Sequence, residues 1–92
     1  MEKKKVAIIG VTGSVGQEFV QSLNDHPWFE VTQIAASERS AGKNYLEAIR
    51  NEGGIIMWDV GGEIPEYIKS MVVKKVDDLD TSQLDLVFSA VE

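Results

Sequence analysis

Two hydrophobic rhythms alternate along this chain. Residues 6–9 are continuously apolar, with lysines before them and Gly10 after, which predicts a buried strand. Between residues 14 and 23 the apolar positions Val15, Phe19, Val20 and Leu23 return at spacings of four, one and three. That is the stripe of an amphipathic helix, ended by Asn24 and Asp25 and blocked from continuing by Pro27. Residues 29–36 then supply a second strand, carried by Val31, Ile34, Ala35 and Ala36. Strand, helix and strand within about thirty residues is the size of a parallel βαβ unit.

The rhythm weakens after Ala36. Residues 45–50 suit a helical turn, whereas Gly53, Gly54, Gly61 and Gly62 bracket "IIMWDV" in the manner of a loop or small hairpin, with Trp58 as a local hydrophobic anchor. Pro65 opens a short helix over 66–70, since proline is tolerated in a first turn. A third strand is expected over 71–76, a brief helical connection over 80–84 and a fourth strand over 86–90. The sequence stops just after that strand. A parallel strand needs cover on both faces of its sheet, so the expectation is an α/β chain truncated after its fourth strand.

Composition narrows the chemistry. Ninety-two residues with 43% apolar content support one modest core. Fifteen acidic against nine basic residues give a net charge of −6, which argues against a nucleic-acid surface. The one basic cluster, Lys3, Lys4 and Lys5, reads as a solvated chain end. With no cysteine there are no disulfides, thiolate metal sites or thiol chemistry, and a single histidine leaves no zinc cluster. The first apolar run is too short for a signal-peptide core or a membrane span. A soluble cytoplasmic protein without membrane partners is the resulting expectation.

The chemistry concentrates in "GVTGSVGQEF", where Gly10, Gly13 and Gly16 recur every third residue between predicted strand and predicted helix. In a dinucleotide-binding unit one glycine makes the turn, one admits the pyrophosphate and one lets helix and strand pack closely. The helix N-terminus then offers free N–H groups to phosphate. Plain tight packing is the alternative. A P-loop is excluded, since no lysine lies between Gly10 and Lys43.

The second strand ends in "SERS". About twenty residues beyond such glycines, an acidic side chain binds the ribose 2′-hydroxyl of NAD, whereas an arginine accommodates the 2′-phosphate of NADP. Arg39 offers a planar fork to a phosphate, with Ser37 and Ser40 as hydroxyl donors beside it. Glu38 is placed either to pair with Arg39 or to serve a ribose, and a merely solvated loop is the remaining alternative.

Together "GVTGSVGQEFVQSL", "AASERSAGK" and "LDLVFSA" resemble the N-terminal cofactor domain of the aspartate-β-semialdehyde dehydrogenase family, in its archaeal and fungal branch. The resemblance implies a Rossmann-type parallel sheet with flanking helices over residues 1–92. It also implies NADP as cofactor and reductive dephosphorylation of aspartyl phosphate on the route to lysine, threonine and methionine, within a homo-oligomeric parent enzyme acting on a small molecule. By resemblance, Thr12, Gly13, Ser14 and Val15 line the diphosphate, with Gly10 and Gly16 as the turn-making and close-packing glycines of the same cofactor-binding turn, Ser37, Arg39 and Ser40 serve the 2′-phosphate, and Ser89 and Ala90 the nicotinamide side. The family's nucleophilic cysteine and its acid/base histidine have no counterpart here, and His26 in "DHPWF" is poorly placed for the second role. Catalysis by this chain alone is therefore not expected. Malonyl-CoA reductase, N-acetyl-glutamyl-phosphate reductase and a noncatalytic nucleotide-binding module stand as alternatives, and "NEGGIIMWDVGG" has no counterpart in the resemblance.

Overall fold

A computed structural model describes residues 2–91. The elements run β1 (Lys4–Ile9), α1 (Ser14–Ser22), β2 (Phe29–Ala36), α2 (Tyr45–Ala48), α3 (Glu66–Lys69), β3 (Val73–Lys75) and β4 (Leu86–Ser89). The four strands form one parallel sheet in the order β3-β2-β1-β4. The chain therefore winds outward from β1 to β3 and crosses back to lay β4 on the other side of β1. That reversal makes the carboxyl ends of β1 and β4 a topological switch point, where open α/β sheets form their ligand crevice.

Side-chain alternation fixes which face is core. Val6 and Ile8 on β1 pair with Val31 and Ile34 on β2, and Ile34 pairs with Val73. Valine and isoleucine three positions apart do not share a face in a regular strand. An irregularity opposite Val6 and Ala7 skips Thr32 and restores the register, so that Val31 and Ile34 both join the buried cluster. Helix α1 closes over that face through Val20 and Leu23, and Phe19 stacks on Phe88 of β4 at 5.3 Å between ring centroids.

The other face carries smaller groups. Ala7 and Ala35 are fully buried there, and Gln33 is nearly so. The Gln33 amide donates to Asp80 O at 3.0 Å and accepts from Asp80 N at 2.8 Å and Lys74 Nζ at 3.2 Å, fastening the 3₁₀ turns Val76–Asp78 and Thr81–Gln83 across the sheet. Leu86 and Val87 on the edge strand stay exposed. No helix among the described residues is long and apolar enough to cross a membrane.

Two expectations need correction, and one open alternative, loop against hairpin, resolves to a loop. Val15 does not belong to the buried stripe: it is 46% exposed, while Gln17 is 1% exposed in its place. Helix α1 meets the glycine turn at its first residues, so its inward positions there are Gly16 and Gln17. The third strand shrinks from 71–76 to Val73–Lys75, because Met71 ends the α3 turn and Val76 begins a 3₁₀ turn. Residues 51–62 make no full hairpin. They form a loop closed by a single bridge between Arg50 and Ile56.

Candidate functional site

The site begins at the turn that carries the chain from β1 into α1. Gly10 leaves the strand at φ +75°, in the left-handed region that side-chain-bearing residues rarely adopt. Its N–H and that of Val11 both donate to Ala35 O, at 2.9 and 3.2 Å, which pins the turn to β2. A Cβ on Gly10 would stand 3.1 Å from the Ala90 carbonyl carbon, so its absence also lets the end of β4 approach. Gly16 is more constrained. A Cβ there would fall 2.1 Å from Gly10 O and 2.7 Å from Val11 Cα. Its role is close helix–turn packing, and it does not line the cleft.

Gly13 caps α1 with extended backbone and no side-chain capping bond. Gln17 N makes the first hydrogen bond of the helix, to Gly13 O at 2.8 Å, so the N–H groups of Ser14, Val15 and Gly16 precede the ladder. No acidic side chain occupies the first turn. The result is a set of donors at the positive end of a nine-residue helix, the arrangement that receives an anion.

In front of that turn lies a cleft of about 590 Å³ lined by Gly10, Thr12, Gly13, Ser14, Val15 and Ser37, with Ala90 and Val91 at one side and Val76 at the other. Sharing Thr12, Gly13, Ser14 and Ser37 with it is a second, more polar lobe of about 570 Å³ that adds Arg39, Ser40 and Lys43, and beyond them Arg50 and Asp59. Arg39 and Lys43 form no ion pair among the described residues, and Glu38 does not claim the Arg39 guanidinium. Arg50 is engaged, with its guanidinium 3.8 Å from Glu47 and donating to Gly54 O at 2.7 Å. Ser40 is 9% exposed and sits in the turn after β2, where its N–H donates to Ser37 O.

Most residues singled out from the sequence thus converge on two joined lobes. Gly16 lies behind the turn and Ser89 pairs with Ile9 in the β1–β4 ladder without lining either lobe. The sequence missed Lys43, Val76 and Gln17. Lys43 was legible as the last residue of "SAGK", one helical turn's length past Arg39. Val76 was not, because only the 3₁₀ turn after β3 carries it to the cleft.

Tyr45 and Tyr67 support the site from beneath and beside it. The Tyr45 hydroxyl donates to Val11 O at 3.2 Å under the glycine turn, and the Tyr67 hydroxyl donates to Val20 O at 2.7 Å. Burial pushes both phenols well above their ordinary range, and Tyr67 adds to the effect at Tyr45. Both remain neutral hydrogen-bond donors. His26 accepts from Trp28 N at Nδ1 and lies against the Trp28 and Phe29 rings, at the opposite end of α1 from the cleft. It is part of the turn between α1 and β2. Among the described residues no cluster of acidic or histidine side chains is arranged to hold a metal ion.

Comparison with known proteins agrees with this geometry. Residues 5–92 match the family model described as semialdehyde dehydrogenase, NAD binding domain. Aspartate-semialdehyde dehydrogenase of Methanothermobacter thermautotrophicus is 42% identical over 85 residues, a span that is 92% of this chain and 22% of that protein. The Schizosaccharomyces pombe protein of the same name is 41% identical over 92 residues, 100% of this chain and 24% of the relative. The crystal structure of aspartate semialdehyde dehydrogenase with NADP from Candida albicans superposes with a TM-score of 0.83 at 36% identity, covering 99% of this chain and 24% of that one. The chain thus spans roughly a quarter of the length of the relatives it matches.

Proposed function

This chain belongs to the semialdehyde dehydrogenase family through its NAD-binding domain, and from that premise we propose that it binds NADP as the cofactor-binding part of an aspartate-semialdehyde dehydrogenase. In that role residues 1–92 form the N-terminal portion of the dinucleotide domain. The activity we propose for the parent enzyme is reductive dephosphorylation of aspartyl phosphate, a reading supported by relatives named aspartate-semialdehyde dehydrogenase that match 92% and 100% of this chain. The observation that carries the cofactor choice is Arg39, a guanidinium without an ion pair among the described residues, in the polar lobe next to the glycine turn, where an NAD-selective domain places an acid.

The residues present fit the group. The N–H groups opening α1 receive the diphosphate, with Gly13 leaving the approach open. Arg39, Ser37 and Ser40 receive the 2′-phosphate, and Lys43 adds a second positive charge to the same lobe. Ala90 at the switch point flanks the nicotinamide side, with Ser89 behind it in β4. Bound NADPH supplies a hydride. This chain's own residues bind and orient the dinucleotide through its phosphates, and they furnish neither a nucleophile nor an acid/base group for acyl transfer. There is no cysteine, and His26 is committed to the α1–β2 turn.

Arg39→Ala is expected to cost roughly 1.5–3 kcal/mol of NADP affinity, the range for a hydrogen bond to a charged group, and to leave NAD binding nearly unchanged. Calorimetric titration with both dinucleotides measures the difference. Equal losses for the two would remove Arg39 from the 2′-phosphate site.

The purified 92-residue chain is expected to bind NADPH without turnover, because covalent acyl transfer needs an activated nucleophile and a positioned acid/base. The assay supplies aspartate semialdehyde, phosphate and NADP and follows NADPH absorbance beside a fluorescence titration of NADPH. Reduction proportional to protein concentration would overturn this reading and place a nucleophile among residues to which no such role is assigned above.

A further inference from the structure

Gln17 is a polar side chain buried to within 1% of full exclusion at the start of a helix whose other inward residues are apolar or glycine. All three of its amide hydrogen bonds go to backbone. Nε2 donates to Thr12 O at 3.0 Å, in the glycine turn, and to Met57 O at 2.9 Å, in the loop of residues 51–62. Oε1 accepts from Asp59 N at 2.7 Å, in the same loop. One turn further along α1, on the same face, Gln21 donates to Gly61 O at 3.0 Å, and the Trp58 indole donates to that carbonyl at 3.0 Å from within the loop. Asn51, Met57 and Asp59 of this loop line the polar lobe together with Arg39 and Lys43.

We infer that Gln17 is a positioning residue for the cofactor: it clamps the 51–62 loop to the glycine turn, and the clamped loop forms the outer wall of the lobe that takes the 2′-phosphate end of NADP. The inference rests on the cofactor assignment above and goes beyond it, since Gln17, although it lines the polar lobe, spends all its hydrogen bonds on backbone, and the loop lies outside the glycine and "SERSAGK" motifs. A glutamine suits the task because one amide both donates and accepts. It satisfies two carbonyls and an N–H at once, and a buried group with any of these partners missing is costly. Loosening the loop opens the polar lobe to water and leaves the diphosphate donors of α1 in place. The consequence is therefore selective for the phosphorylated adenosine end.

The test compares NADPH and NADH binding by fluorescence titration, together with amide hydrogen exchange, in the wild-type protein and in Gln17→Leu. The expected result is at least tenfold faster exchange at Met57 and Asp59, NADPH affinity at least fivefold weaker, NADH affinity changed less than twofold, and unchanged exchange at Ile8 in the core. A loosened loop with NADPH affinity intact would overturn the inference while leaving the cofactor assignment standing. Equal weakening of both dinucleotides would overturn it too, by placing the effect at the glycine turn. A wild-type protein that binds neither would overturn the cofactor assignment and this inference with it. Should Gln17→Leu not fold, Gln17→Glu supplies a second route. A buried carboxylate facing two carbonyls repels them, and on protonation it donates to one of them, so the NADPH deficit relative to wild type at the same pH is expected to shrink as pH falls. A deficit independent of pH, or none at all, would overturn the inference.

Discussion

Alanine in place of Gly16 is expected to destabilise the protein by about 2 kcal/mol or more, despite alanine being the better helix former. The added Cβ would lie 2.1 Å from Gly10 O, 2.7 Å from Val11 Cα and 2.8 Å from Val11 C, all backbone atoms of a turn that is itself pinned to β2. No side-chain rotation relieves that overlap. Helix α1 must back away from the turn, and overpacking of this kind costs about 1–3 kcal/mol, occasionally more. Helix propensity returns only about 1 kcal/mol for glycine to alanine, so the balance stays unfavourable when the overlap lies at the severe end. For a domain of this size each kcal/mol moves the melting temperature by roughly 4–8 °C. Thermal unfolding followed by circular dichroism should therefore show a fall on the order of ten degrees. A melting temperature equal to or above that of the wild type would mean that α1 adjusts its distance freely and that Gly16 serves some purpose other than packing.

How much of this was legible in the sequence depends on how local the determining contacts are. β2 was readable residue for residue, and β1 and α1 to within two residues, because burial of β1 and β2 and the chain breaks around Asn24 and Pro27 are written into neighbouring positions. Asp25 does adopt φ +54°, the left-handed conformation that ends the helix. Glycine roles were readable too: Gly10 makes the turn and Gly16 packs, as the dinucleotide pattern requires. Gln17 was invisible for a physical reason. A buried amide makes sense only once its partners are known, and two of the three lie forty and forty-two residues away in a loop with no periodicity of its own. The same holds for Gln33, whose partners Lys74 and Asp80 are brought beside it by strand pairing and a 3₁₀ turn. Tyr45 and Ile49, by contrast, carried a local signal that agrees with the helical turn read over residues 45–50. They stand four apart, share one helical face and are both buried.

Gly13→Val should have the opposite signature to the change at Gly16, with cofactor binding lost and folding kept. Gly13 has φ −76° and ψ 173°, a conformation open to any residue, and a Cβ there would meet only Gly10 O at 3.9 Å, an ordinary contact. Valine is a poorer helix cap than glycine, a penalty on the order of 1 kcal/mol, so the melting temperature should fall by only a few degrees. Gly13 lines both lobes of the cleft, however, at the point where they meet. A branched side chain there occupies the space between the Ser14, Val15 and Gly16 N–H groups and the cleft, where a diphosphate must come close to backbone. NADPH affinity is expected to drop at least a hundredfold, about 2.7 kcal/mol, and NADH affinity in the same proportion, since the obstruction is at the diphosphate shared by both. That common loss separates Gly13→Val from Arg39→Ala, which discriminates between the two dinucleotides. Fluorescence titration of both nucleotides, with circular dichroism on the same samples, decides the matter. A folded Gly13→Val protein that binds NADPH as tightly as the wild type would show that the diphosphate does not approach the backbone at Gly13 and would overturn its place in the site.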